Sequence, residues 1–282
     1  MTTPVILVPL DGTTETLGAL PVARELARAE RATVLAVHVT EEKLPAARFV
    51  RETGLEREEL RGVVVEVRSG DPADAVLAVA REKEPRAIVL CAKTAERGTV
   101  GIRGSTAERV FRDAPCPVVV VRRTEDTSGW SLRTVLLPHD GTPTTSAAIG
   151  PAFELARKAG ARLHVLHVTG LGAKPSCEPG SLGVPRYVDQ RQHEWPAWAQ
   201  EFLERLASAC PSCPDISELR LSLARGDPSS EIVRFAGDQS IDLVVLAWQG
   251  GVEPDRALAL RGVLRDAPCP VMVLRTEGRA AG

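Results

Sequence analysis

Along the chain, short runs of apolar and mostly β-branched residues alternate with longer stretches in which apolar positions recur every three or four residues. Residues 5–10, Val-Ile-Leu-Val-Pro-Leu, have the length of a buried strand. Residues 16–30 follow with Leu17, Leu20, Ala23, Leu26 and Ala27 on one helical face. Further strands are expected at 33–39, 63–68, 86–91 and 117–122, with helices from Pro72 to about residue 83 and over 105–112. The pattern then starts again. Strands are expected at 134–137, 162–168, 218–224, 242–247 and 271–275, and helices at 145–159, 229–236 and 256–265, with an added helix near 189–209. Near-continuous Val/Ile/Leu strands separated by amphipathic helices predict an α/β fold whose parallel sheet is covered on both faces. Right-handed crossovers restrict it to a doubly wound, Rossmann-like sheet of five strands per copy. Ligands of such sheets sit at the carboxyl ends of the strands, where strand order reverses. That rule marks Asp11 and Asp140, just past the first strands, and Cys91 and Ala247, at the ends of the fourth.

The restart is an internal repeat. Leu7-Val8-Pro9-Leu10-Asp11-Gly12-Thr13 returns as Leu136-Leu137-Pro138-His139-Asp140-Gly141-Thr142, and His38-Val39-Thr40 as His167-Val168-Thr169, both offset by 129 residues. Gly70-Asp71-Pro72 returns as Gly226-Asp227-Pro228 at an offset of 156. Residues 112–118, Arg-Asp-Ala-Pro-Cys-Pro-Val, return unchanged as 265–271 at an offset of 153. Four collinear matches define two tandem domains, 1–123 and 132–276, joined by a short polar linker. The second carries a longer segment, 170–217, where the offset grows by 27 residues. The short stretch between Thr40 and Val63 predicts a reduced second helix in the first copy.

Composition narrows the function classes. At 282 residues with 44% hydrophobic and 26% charged residues, the chain has material for two cores. A formal net charge of −2 supplies no field to recruit nucleic acid or an acidic membrane, so neither is an expected partner. No apolar run reaches membrane-span length, and Met1-Thr2-Thr3-Pro4 leads directly into a strand-like run, so a cytoplasmic chain is expected. Six cysteines do not make a disulfide scaffold at this length. The five histidines form no catalytic set with a nucleophile, and neither a Walker lysine loop nor a Gly-x-Ser-x-Gly elbow occurs. His164 and His167 lie an odd number of residues apart on one strand and should face opposite sides of the sheet.

Three motifs carry a resemblance. Val8-Pro9-Leu10-Asp11-Gly12-Thr13 closes the first strand, Gly70-Asp71-Pro72 precedes a helix, and Ala114-Pro115-Cys116-Pro117 leads into four valines. Together they resemble the universal stress protein family in its tandem, two-domain form, over nearly the whole chain outside roughly 171–196. The resemblance implies a non-enzymatic stress-response or signalling protein. It also implies that the two domains pack about a pseudo-twofold axis with the strands at 117–122 and 270–275 edge to edge, that a protein partner exists, and that association of two such chains is open.

ATP-binding members carry a glycine motif after the fourth strand: Gly, two residues, Gly, nine residues, Gly-Ser/Thr. Such glycines let the backbone approach phosphates, and the helix start behind them offers free N–H groups. Here the first copy reads Cys91-Ala92-Lys93-Thr94, nine residues, then Gly104-Ser105. Both early glycines are replaced and the last pair is kept. The resemblance implies ATP or another adenine nucleotide in the first domain, held by Asp11, Val39, Thr94, Arg103, Gly104, Ser105 and Thr106. The second copy keeps only Gly250 and has Ala257-Leu258 in place of Gly-Ser, so no nucleotide is expected there.

Competing readings stand beside these. Asp11 and Asp140 either receive a ribose or adenine edge or bond local N–H groups in a strand-to-helix turn. Ser105 either bonds a phosphate or caps its helix. Cys116 and Cys269 are expected to pack as small hydrophobes. Slow ATP hydrolysis with Asp11 holding a metal-bound phosphate, and a thiol or zinc module built on Cys210 and Cys213, are the alternative functions. Cys210 follows a helix end, where the dipole opposes a thiolate. Tyr187, Trp195 and Trp198 in the added segment form either a partner surface or helix packing onto the sheet.

Overall fold

The computed structural model describes residues 3–40, 60–94, 102–123, 125–169, 181, 195–209, 219–248 and 254–275. The chain divides into two compact units, Met1–Leu132 with Cys269–Val273, and Arg133–Pro268 with Leu274–Gly282.

In the first unit, β1 (Val5–Leu10) leads through a 3-10 turn (Thr14–Gly18) into α1 (Ala19–Glu30) and β2 (Thr33–Thr40). Then come β3 (Val63–Ser69), α2 (Pro72–Lys83), β4 (Ala87–Thr94), β5 (Ile102–Arg103), α3 (Ser105–Asp113) and β6 (Val118–Arg122). Strand order is β3-β2-β1-β4-β6, with every one of these pairings parallel. Order reverses between β1 and β4, as a doubly wound sheet requires. Val271–Val273 of β11 (Val271–Arg275) run antiparallel to Val118–Val120 and so cover the edge of β6. In the core Ile6, Leu7, Val8, Leu20, Leu26, Ile88, Val89 and Phe111 are all almost wholly buried, while Leu17 of the expected helical face is half-buried in the 3-10 turn.

The second unit repeats the plan with β7 (Thr134–His139), α4 (Pro143–Ser146), α5 (Ile149–Ala159), β8 (Arg162–Thr169) and α6 (Trp195–Ala209). It continues with β9 (Arg220–Arg225), α7 (Pro228–Asp238), β10 (Leu243–Trp248) and α8 (Pro254–Asp266). Parallel pairs run β9-β8-β7-β10. α6 belongs to the segment this copy gained, and it reaches the core through Phe202 and Leu206, at 0% and 1% exposure. Residues 189–194 of the expected helix, and Tyr187, lie outside the described residues.

Several element boundaries differ from the periodicity. The first helix does not start at Thr16, because the Asp11 carboxylate and the Thr13 carbonyl gather residues 13–16 into a tighter turn first. The stretch 145–159 likewise splits into α4 and α5. β4 runs three residues past Cys91, because Lys93 and Thr94 pair antiparallel with Arg103 and Ile102.

Helix contacts also differ between copies. Arg109 on α3 donates to Asp71 at 2.9 Å and to Asp74 at 2.5 Å on α2. The position 153 residues on is Gly262 of α8, and there the helices close up: a Cβ would stand 2.5 Å from Ser229 Cβ and 2.7 Å from its Oγ. Gly262→Ala is therefore expected to destabilise the second unit by about 1–3 kcal/mol, since Ser229 Cβ is fixed to its backbone and relief of the clash requires a helix to shift. A lowered urea midpoint at unchanged slope would register it.

Candidate functional site

The site forms at the carboxyl end of β1 and β4. Beyond β1 the chain turns at Gly12, whose φ of 85° is the left-handed conformation that glycine adopts without strain. The turn is built around Asp11. Its Oδ1 accepts from the Thr13 N–H at 2.9 Å, the Thr13 hydroxyl at 2.6 Å and the Thr16 hydroxyl at 2.9 Å. Its Oδ2 accepts from Arg123 Nη2 at 2.9 Å. Partial burial works against ionisation, but the Thr13 and Thr16 donors and the Arg123 charge outweigh it and hold the carboxyl below its usual value. The turn recurs in the second copy. There Asp140 Oδ1 accepts from Thr142 N–H, Thr142 Oγ1 and Thr145 Oγ1 at 3.0, 2.6 and 2.7 Å, and Gly141 has the same φ of 85°. In both copies, then, the aspartate organises its own turn.

A histidine on the second strand supports each turn from below. His38 Nδ1–H donates to the Leu10 carbonyl at 2.8 Å, and His167 Nδ1–H donates to the His139 carbonyl at 2.8 Å. Val39 follows His38 at the half-buried end of β2, opposite Arg68 of β3.

At the end of β4, Cys91 is 8% exposed and its thiol donates to the Glu15 carbonyl at 3.1 Å. A Cβ on Gly18 would stand 3.7 Å from the sulfur, so the side chain fills the space beneath the 3-10 turn. Burial pushes this thiol up to about 11, which keeps it neutral and unreactive. Burial likewise pushes Cys116 up to about 12. Thr94 is drawn into the β4–β5 hairpin, so neither position of the altered glycine motif forms an open loop.

The kept part of the motif is built differently. Gly104 precedes α3 with a φ of 109°, and no described atom lies within 4 Å of where its Cβ would stand. Gly104, and not Ser105, is the N-cap, and it makes no side-chain cap bond to the first turn, where Ser105 and Thr106 sit. The capping expectation for Ser105 is thus corrected: a residue already inside the first turn cannot place its hydroxyl over the N–H groups ahead of it. Arg103 lies one residue before this glycine, in the short β5 opposite Lys93.

Arg123 is the residue that sequence reasoning missed. It follows β6, whose carboxyl end lies beside that of β4, and it reaches across to the β1 turn. Its guanidinium forks between Asp11 and Glu15, and Lys93 Nζ lies 3.8 Å from the same Glu15 carboxylate. The available signal was an Arg-Arg pair closing the last strand of a parallel sheet, at the ligand edge of the fold. Behind it, burial pushes Glu125 up to about 7 against the opposing influence of the Arg122 N–H and charge.

The matching place in the second unit has no helix start. α8 begins at Pro254, so Ala257 and Leu258 lie inside it, and Leu258 is 59% exposed. The Arg275 guanidinium stands 5.5 Å above the Trp248 ring at the end of β10. His139, at the end of β7, is 2% exposed, as is His167 beside it. His164 faces α7, against Phe235, and His167 faces α6, against Phe202, on opposite sides as expected. Cys210, Cys213, Cys177 and His193 lie outside the described residues. Among the described residues no cluster of three His, Cys, Asp or Glu suits a metal, and no helix is long and apolar enough to cross a membrane.

The sequence pattern of the universal stress protein family matches residues 3–122 and again 131–275. The chain belongs to this family. It is 32% identical over 149 residues to universal stress protein MJ0531 of Methanocaldococcus jannaschii, covering 50% of this chain and 81% of that one. It is 27% identical over 209 residues to a universal stress protein of Mycolicibacterium smegmatis, covering 70% and 67% respectively. In structure it resembles a universal stress protein from Archaeoglobus fulgidus, with a TM-score of 0.62 at 17% identity over 98% of this chain and 99% of that one. Family membership and the tandem, doubly wound fold therefore agree with the motifs read from the sequence.

Proposed function

We propose that the chain acts by binding, as a stress-response or signalling protein of the cytoplasm read by a protein partner, with one adenine nucleotide held in the first unit and none in the second. The observation that carries this reading is Gly104. A glycine of positive φ, clear of described atoms on its Cβ side, stands as the N-cap of a helix and brings no side chain of its own to the first turn. Such a start directs N–H groups and the positive end of the helix dipole at whatever approaches, which suits a phosphate. Asp11 and Val39 border the same end of the sheet, where the sugar and base would lie. In the second unit the corresponding position lies inside α8 rather than at its start, which supports one site per chain.

Hydrolysis is the weaker reading. A carboxylate offers about four acceptor sites. Three threonine donors crowd Asp11 Oδ1 and the Arg123 guanidinium pairs with Oδ2, so the carboxylate is engaged in its own turn rather than presented to a metal-bound phosphate.

Isothermal titration with ATP is expected to show one equivalent per chain. Gly104→Val should weaken it by about tenfold or more, because a side chain there enters the phosphate path on a strained backbone. No heat at millimolar ATP from correctly folded protein would overturn the reading.

A further inference from the structure

We propose that Arg123 is a displaceable latch on the first unit's ligand site, and that ligand binding is thereby reported to the linker that follows it. The inference rests on the nucleotide reading and deepens it. With Oδ1 crowded by three donors, a sugar hydroxyl that donates to Asp11 meets Oδ2 and competes there with the charged guanidinium. The three threonine bonds belong to the turn itself, since the same three occur at Asp140 in the second copy. The Arg123 bond is the addition. The repeat offset of 153 places Thr276 at the corresponding position of the second copy, so that copy has no arginine there. What a ligand displaces is the guanidinium.

Arg123 is well placed to pass that event on. Its N–H donates to the Ala92 carbonyl at 3.1 Å, which ties it to the end of β4. Next along the chain, Glu125 N–H donates to the Arg122 carbonyl at 3.0 Å, and the Thr127 hydroxyl donates to the Gly18 carbonyl at 2.8 Å. Thr127 and Leu132 are 4% and 2% exposed. Thr127 therefore holds its segment against the turn that Asp11 and Glu15 anchor, and the Arg123 fork is a charged contact with those two carboxylates. With Asp11 taken by a ligand, the fork loses one of its two prongs and the hold on this segment weakens.

The test measures ATP affinity by titration and hydrogen exchange over residues 123–132 by mass spectrometry, on the full chain. Arg123→Ala is expected to bind ATP about three- to tenfold more tightly, the range of a partly exposed forked ion pair. Arg123→Lys, whose single ammonium cannot span both carboxylates, should fall between and serves if the alanine variant misfolds. In the unaltered chain, saturating ATP should speed exchange across 123–132. Equal affinity in all three proteins would overturn the latch and leave the nucleotide site standing. Weaker binding by Arg123→Ala would make Arg123 a ligand contact, which also overturns the latch. Unchanged exchange on ATP binding would remove the link to the linker. No binding by any of the three would remove latch and site together.

Discussion

Replacing Phe202 with alanine is expected to destabilise the second unit by about 3–5 kcal/mol, the usual range for a large aromatic removed from a packed core. The side chain is completely buried on α6, within the longer segment of the second copy. Its ring meets His139 at 5.1 Å between centroids with planes at 85°, and His167 at 5.5 Å and 63°, so two rings on adjacent strands converge on it. Truncation would leave a cavity floored by two polar imidazoles. Against a typical domain stability of about 5–15 kcal/mol the loss is a large fraction. Phe202→Leu keeps most of the volume and should cost clearly less. Exchange measured on peptides from β7 and β8 should rise in Phe202→Ala while peptides from β1 and β2 keep their protection. Equal protection of β7 and β8 in both proteins would show that α6 contributes nothing to that core.

The same helix shows what the sequence could and could not reveal. Its existence followed from length and apolar spacing, but those cannot say that Phe202 seats between His139 and His167, because that meeting joins residues far apart in sequence. Strands and repeats were legible because each obeys a local rule: buried β-branched runs, and motifs that return in register. The extension of β4 to Thr94 was not, since Thr94 becomes strand only by pairing with Ile102. At the candidate site, Asp11 was found from its place after β1, but its engagement was not. One oxygen is claimed by threonines two and five residues on, which turn chemistry anticipates. The other is claimed by Arg123, 112 residues away, which no local rule does. The helix start at Ser105 was legible, but of the two readings of its hydroxyl the capping one fails, because the N-cap is a glycine that leaves no side-chain signature.

Acidification from pH 7 toward 4 is expected to weaken the second unit through its buried histidines. His139 Nδ1 accepts the Gly141 N–H at 2.9 Å, so the neutral ring carries its proton on Nε2 and donates to Ser146 Oγ at 3.1 Å. Burial pushes its pKa down to about 4, helped by the neighbouring His167 and opposed by the Asp140 charge. Burial lowers His167 too, against its bond to the His139 carbonyl and the same Asp140 charge. In the unfolded chain both titrate near 6.5. Below that value the unfolded state takes up protons that the folded state refuses, so stability is full above about pH 6.5 and falls as pH drops toward 4. His139 alone accounts for a loss on the order of 3 kcal/mol by the bottom of that window. Carboxylates held low by hydrogen bonds, such as Asp227, give way only at more acid pH. In the first unit Leu10 stands where the second has His139, so the paired arrangement is absent there. His139→Asn offers its amide oxygen to the Gly141 N–H in place of Nδ1 but does not titrate. Its stability at pH 7 should be lower than that of the parent, since the contact with Phe202 is lost, and its pH slope between 6.5 and 4 should be shallower by one proton. Urea midpoints across that range decide the matter: a slope unchanged in His139→Asn would mean that His139 takes up its proton equally in both states, and that the burial seen here carries no electrostatic cost.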